Sequence, residues 1–202
     1  GGSGTVIIRY SSAAAFSLIE DVTGDLLYTG TPFADVDSAS LTVTLTVSDG
    51  TIAGNAGTGI TVGGTATART FTGTVSDLNA YFTTAGKITY QGALNNTASR
   101  TLTTAVSDGS LSGSTDSAIS FTAVNDAPTV NAPANFAVTE DVAGNLLYTG
   151  TPFADVDSAS LTVTLSITDG TITGNSGTGI TVGGTATART FAGTVSDLNA
   201  YF

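Results

Sequence analysis

The feature that most restricts what this chain can fold into is a long internal repeat. Residues 140–202 repeat residues 20–82 at a displacement of 120 positions, and 55 of the 63 aligned positions are identical. The eight differences are Thr23/Ala143, Asp25/Asn145, Thr46/Ser166, Val47/Ile167, Ser48/Thr168, Ala53/Thr173, Ala56/Ser176 and Thr72/Ala192. A period near 120 residues is far longer than a solenoid repeat and is about the length of one β-sandwich domain. The chain therefore reads as an array of whole domains, with the second copy cut short at Phe202.

The local pattern is that of strands. Apolar residues make up 41% of the chain and charged residues 10%, against about 25% charged in ordinary globular proteins. Polar surface must then come from Thr, Ser, Asn and Gly, and Thr with Val and Ile suits a pleated, half-buried surface. Residues 40–48, SLTVTLTVS, place Leu41, Val43, Leu45 and Val47 on one face and threonine on the other. Further strands are expected at 16–21, 26–30, 51–54, 59–64, 69–75, 87–92, 100–109 and 116–124, with FADVDSAS (33–40) as a loop. The Asp49-Gly50, Asp108-Gly109 and Asp169-Gly170 pairs read as turns, because both residue types tolerate positive φ. The period changes at SDLNAYF (76–82), where Ser76 or Asp77 can cap a short helix that buries Leu78, Tyr81 and Phe82. Asp197 has the same capping role in the second copy. Many short strands between closely spaced turns predict an all-β protein of tandem sandwiches.

Three segments are expected: 1–15, a glycine-rich lead with one short strand (TVIIRYS, 5–11); 16–127, a complete repeat; and 128–202, an incomplete one. VNDAPTVNAP (124–133) has two prolines and no strong helix former, and reads as an extended connection. The chain begins with glycine and stops inside a repeat, which leads to the expectation that it is a piece of a longer polypeptide. The strands missing from the second copy are expected either from continuation of the same chain or from a neighbouring chain by strand addition, with TVIIRYS as a possible donor.

Charge and chemistry exclude several functions. The net charge of −11 repels nucleic acid and anionic membranes, so neither is expected as a partner. No apolar run approaches the roughly 20 residues of a membrane-spanning helix. The chain has no cysteine and no histidine, which removes disulfides, thiol nucleophiles, histidine triads and imidazole ligands. Paired carboxylates recur in both copies, but there is no tryptophan for sugar stacking, so an enzyme is not expected. Residues 57–69, GTGITVGGTATAR, lack a phosphate-binding fingerprint and read as loop and strand. Lys87 is the only lysine, and nothing marks an asparagine partner for an isopeptide bond. The acids do cluster: Glu20-Asp21 and Asp35-x-Asp37 in the first copy, Glu140-Asp141 and Asp155-x-Asp157 in the second, and Asp126 between them. Carboxylates on turns can supply some of the six to eight oxygens that calcium takes, so these nine residues are candidate calcium ligands. The alternative is that they solvate loops and cap turns.

The order of these elements resembles the cadherin-like tandem repeats of large bacterial surface adhesins. It runs through an ED pair on a first strand, a D-x-D loop, SLTVTL, an S/T-D-G turn, G-T-V-x-D-L-N-A, an I-T-Y strand, AVSDG and a closing VNDAP. The resemblance covers 16–127 and again 128–202. It implies Ig-like sandwiches in series, extracellular or on a cell surface, often stiffened by calcium at the junctions. The function expected from it is a spacer or stalk carrying a binding head. Two alternatives remain: a self-assembling filament or virion-fibre subunit whose incomplete sandwich takes strands from a neighbour, and a carbohydrate-binding module, which needs an exposed aromatic platform.

Overall fold

The computed structural model describes residues 7–8 and 15–202 and is mostly β, in several sheets with two short helices. It divides into two compact units, Gly1–Val124 and Asn125–Phe202. The glycine lead and the rest of the strand expected at 5–11 lie outside the described residues.

In the first unit the elements are β1 (Ile7–Ile8), β2 (Phe16–Ile19), β3 (Gly24–Asp25), β4 (Phe33–Ala34), β5 (Ser40–Thr46), β6 (Thr51–Gly54), β7 (Thr61–Gly64) and β8 (Ala68–Thr74). The helix α1 (Val75–Phe82) follows, then β9 (Ile88–Gln91), β10 (Arg100–Ser107) and β11 (Ser112–Thr122). A six-stranded sheet runs in the order β2-β11-β10-β5-β8-β7, and a three-stranded sheet in the order β3-β9-β6. All pairs are antiparallel except β2 with β11. The alternation in β5 is realised as expected: Leu41, Val43 and Leu45 are buried, and the intervening threonines face outward. They join Phe71, Leu102, Val106 and Ile119 of the same sheet, with Ile52, Ile88 and Tyr90 of the three-stranded sheet, in one hydrophobic core. Tyr28, Phe33, Phe71 and Phe82 interlock edge-on or tilted within that core, the Phe33–Phe82 centroids lying 4.8 Å apart.

Several local expectations are corrected. Residues 26–30 are irregular; only Gly24–Asp25 before them form a strand. Phe33–Ala34, expected in a loop, pair with Ile7–Ile8. The helix cap is Thr74 rather than Ser76 or Asp77: its Oγ1 accepts the Asp77 backbone N–H at 3.1 Å and donates to Asp77 Oδ2 at 2.7 Å. Asp77 stands at the third helical position, where its charge suits the helix dipole. Residues 76–82 do form the buried face expected of them, through Leu78, Tyr81 and Phe82.

The second unit holds β12 (Thr129–Val130), β13 (Phe153–Ala154), β14 (Ser160–Ser166), β15 (Thr181–Gly184), β16 (Ala188–Thr194) and α2 (Val195–Tyr201). Thr129–Val130, read from sequence as part of an extended connection, pair with Phe153–Ala154 inside this unit. Its three-stranded sheet, β14-β16-β15, keeps the register of β5, β8 and β7 residue for residue, from Ser160↔Thr194 to Ser166↔Ala188. Three stretches that are strands in the first unit are irregular here: 136–139, 144–145 and 171–174. Their first-unit equivalents pair with β11, β9 and β9. The 120-residue displacement leaves β9 to β11 without counterparts in the second unit. Gly144-Asn145 and TITG, each differing by one residue from Gly24-Asp25 and TIAG, thus form no strand where the partner strand is absent. The backbone amides and carbonyls, rather than side-chain propensity, decide the outcome.

Candidate functional site

The acidic candidates divide by what holds them. Glu20 is only 3% exposed, and its Oε1 accepts the Val124 backbone N–H at 2.8 Å, joining the end of β2 to the residues after β11. Its repeat partner Glu140 is exposed, in the unit that has no β11 equivalent. Asp21 and Asp141 both sit at positive φ, 59° and 60°, and Asp21 Oδ1 accepts the Asn95 N–H at 2.7 Å. Asp35 Oδ1 accepts the backbone N–H groups of Asp37 and Ser38 at 2.9 and 2.6 Å. Asp155 does the same for Asp157 and Ser158, at the same distances. The D-x-D loops are therefore turns whose first aspartate braces its own backbone. Asp157 Oδ2 accepts the Asp126 N–H at 2.6 Å, which brings those two residues together. Among the described residues no group of three or more carboxylates converges on a common point. The second carboxylate oxygen of Asp35, Oδ2, is buried with no hydrogen-bond partner.

Sequence reasoning missed a polar cluster at one end of β10. Asp49, read only as a turn residue, receives Arg100 Nε at 2.6 Å, and the Arg100 side chain is buried. Tyr90 Oη donates to the Asp49 carbonyl at 3.1 Å and lies 3.3 Å from its carboxylate. Arg100 also donates to the Ala98 carbonyl and stands 5.8 Å above the Phe121 ring. The guanidinium hydrogen bond holds the Asp49 carboxyl below the usual aspartate range, and burial raises the Tyr90 phenol above its own. An arginine at the first position of a predicted strand, facing a D-G turn, was the available signal.

A second missed feature occurs in both copies. Asn79 on α1 accepts the Phe33 N–H and donates to the Phe33 carbonyl, both at 2.9 Å. Asn199 brackets Phe153 at the same distances. The amide completes a strand-like pairing for a single residue and fixes the helix against β4 or β13. Arg69 and Arg189 are likewise equivalent, donating from Nε to the carbonyls of Ile52 and Ile172 at 3.1 and 3.2 Å.

A concavity lies in the second unit. It is an open groove of about 680 Å³, with Leu146, Leu165, Ile167, Ile172 and Phe191 in its lining and Asp169 at its polar part. In the first unit the same space is filled. There β9 lies between β3 and β6 and buries Ile88 and Tyr90. The consequence shows side chain by side chain. Leu18 is 8% exposed but its equivalent Val138 is 61% exposed. Leu41, Val43 and Leu45 are buried, while Leu161, Val163 and Leu165 are half-buried. What remains of the second core is Phe153, Ile180, Phe191 and Leu198, with Tyr148, Tyr201 and Phe202 packed around them.

Comparison with known proteins adds little. No family profile matches the chain, and no curated protein matches it. Among solved structures, an endo-fucoidan hydrolase from glycoside hydrolase family 107 aligns at 19% identity and a TM-score of 0.34. The alignment covers 96% of this chain and 25% of that one, so this chain spans about a quarter of that protein's length. A likeness this weak carries no argument about fold or activity.

Proposed function

We propose that this chain is a structural repeat segment: tandem Ig-like, cadherin-like β-sandwiches of an extracellular or surface-attached protein that acts as a spacer or stalk. The observation that carries this reading is what the repetition preserves. The helix caps Thr74 and Thr194, the amide brackets of Asn79 and Asn199, and the arginine braces of Arg69 and Arg189 recur with nearly the same geometry. These contacts hold a scaffold together. Copying a scaffold adds length, which is the use a stalk has for a repeat. The order of motifs from the ED pair to VNDAP supports the same reading.

A stalk must carry tension through units that yield one at a time. Pulling the full chain from its two ends in a single-molecule force experiment tests this. The first unit, Gly1–Val124, should unfold in one discrete event that releases about 40 nm of chain, at about 3.4 Å per residue. Gradual extension with no such event would overturn the spacer reading.

A further inference from the structure

We propose that the first unit is a tension clamp: β2 and β11 are loaded in shear when the chain is pulled, and the buried Glu20 side chain is the latch that closes the pair. The inference goes beyond the spacer reading, because it rests on strand direction and one side chain and holds whatever the chain carries.

Strand direction comes first. β2 and β11 run parallel, from Phe16↔Ile119 to Ile19↔Thr122. The chain enters β2 at Phe16 and leaves β11 after Thr122, so entry and exit lie at opposite ends of the same ladder. Tension along the chain then drives the two strands past each other along their length. The ladder bonds share that load and must give way together. Had the pair been antiparallel, entry and exit would lie at one end, and the bonds would open one at a time.

The pair is also held where sliding would begin. β11 is anchored on its other side by β10 through eight residue pairs, against four to β2, so β2 is the strand that must move. Phe16 and Leu18 are buried, with the Phe16 ring 5.4 Å from that of Tyr28. Leu18 is nested against Gly24, where an added Cβ would stand 2.7 Å from Leu18 Cδ2. Sliding β2 drags both side chains out of a close-packed core as the ladder breaks. Ser120 Oγ adds a bond to the Phe16 carbonyl at 3.3 Å.

Glu20 is the unexpected member. A glutamate is seldom fully buried unless its carboxyl has a partner, and this one is 3% exposed. Its backbone N–H donates to the Thr122 carbonyl at 3.1 Å, and its Oε1 accepts the Val124 N–H at 2.8 Å. One residue thus grips the β11 side at two places, and its side chain carries the ladder past Thr122, the last paired residue. An apolar residue would fill the position without the desolvation penalty of a carboxyl, but would leave Val124 unheld. The latch stands at the exit, where tension from Asn125 onward arrives first.

The chain has no cysteine, so engineered pairs give unique handles for single-molecule pulling of the intact 202-residue chain. Ala15→Cys with Asn125→Cys loads the strand pair in shear. Val22→Cys with Asn125→Cys loads it from one end, because both positions follow the Ile19↔Thr122 pair. At one pulling speed the shear handles should unfold the unit at roughly twofold or more the force of the one-ended handles, since forced unfolding follows the unfolding rate. Glu20→Ala should speed unfolding about tenfold under shear, on the scale of one lost hydrogen bond, and leave the one-ended force unchanged. Glu20→Gln keeps an acceptor oxygen and should restore the shear force. Equal forces in the two directions overturn the clamp, while unfolding in a single event would still leave the spacer reading in place. A Glu20→Ala loss of the same size in both directions, or no recovery with glutamine, overturns the latch.

Discussion

Leu45 and Leu165 are the same residue at the same repeat position, and they should respond differently to the same deletion. Leu45 has no exposed surface, because β10 pairs along one side of β5 while β8 pairs along the other. Leu165 on β14 has the β16 side only and lines the groove. Truncating a fully buried leucine to alanine costs about 2–5 kcal/mol, through lost transfer free energy and the cavity left behind. Truncating a half-buried one at the edge of an open groove leaves no closed cavity and should cost about 1 kcal/mol. With a urea dependence of about 2 kcal/mol per molar, Leu45→Ala should lower the first unit's midpoint by roughly 1.5 M, and Leu165→Ala the second unit's by roughly 0.5 M. Pulsed amide exchange across a urea series, read by mass spectrometry, reports each unit separately, because the differences at positions 46–48 and 166–168 distinguish their peptides. Equal shifts would mean that Leu165 is buried as deeply as Leu45 and that the missing strands are not what separates the two copies.

The amide brackets give a second comparison. Asn79→Ala and Asn199→Ala each leave a Phe backbone N–H and carbonyl without the side-chain partner, and each should cost about 1–3 kcal/mol in its own unit on the same urea series. An effect below 0.5 kcal/mol at both sites, on the order expected of an ordinary surface change, would show that the brackets are incidental. For pH, the lowered carboxyl of Asp49 contributes stability that is present above its unfolded value of 3.8 and is lost as pH falls through the lower folded value. The raised phenols of Tyr81 and Tyr90 contribute stability that is present below 10.0 and is lost as pH rises beyond it. Thermal melts of the first unit should therefore be flat between about pH 5 and 9 and fall on both sides, with Arg100→Gln removing part of the acid-side fall; a melt unchanged by that substitution would contradict the Asp49–Arg100 account. A chelator should leave the unfolding midpoints of both units where they are, and a clear drop in the second unit's midpoint would show that its aspartates hold an ion.

The fold was legible wherever side chains decide it. The alternation of Leu41, Val43 and Leu45, the D-G turns and the helix carrying Leu78, Tyr81 and Phe82 follow from periods of 2 and 3.6 and from turn chemistry. Where the backbone decides, closely similar stretches such as TIAG and TITG gave different structures. FAVT, GN and TITG of the second copy stand where FSLI, GD and TIAG form strands in the first, but β11 and β9 have no counterparts to pair with them. The pairing of Thr129–Val130 was hidden for a related reason: a two-residue strand has no period to detect. Among the candidate calcium ligands, Asp35 and Asp155 brace their own turns, which was the alternative beside the calcium expectation. Convergence of carboxylates on a cation is a matter of three-dimensional placement that spacing does not encode. Asn79 and Arg100 act across 46 and 51 positions, on Phe33 and Asp49, and a single sequence does not show which distant residue each one meets.

The most direct test of the account is native-state amide exchange at residues 51–54 and 171–174, TIAG and TITG, in one sample of the intact chain. The first should be strongly protected, because β6 is paired with β9 from Thr51↔Gln91 to Gly54↔Ile88. The second should exchange faster by orders of magnitude, apart from Ile172, whose N–H is bonded to Ala186. Equal protection of the two segments would contradict the claim that a paired neighbouring strand decides which of the two copies is ordered as a strand.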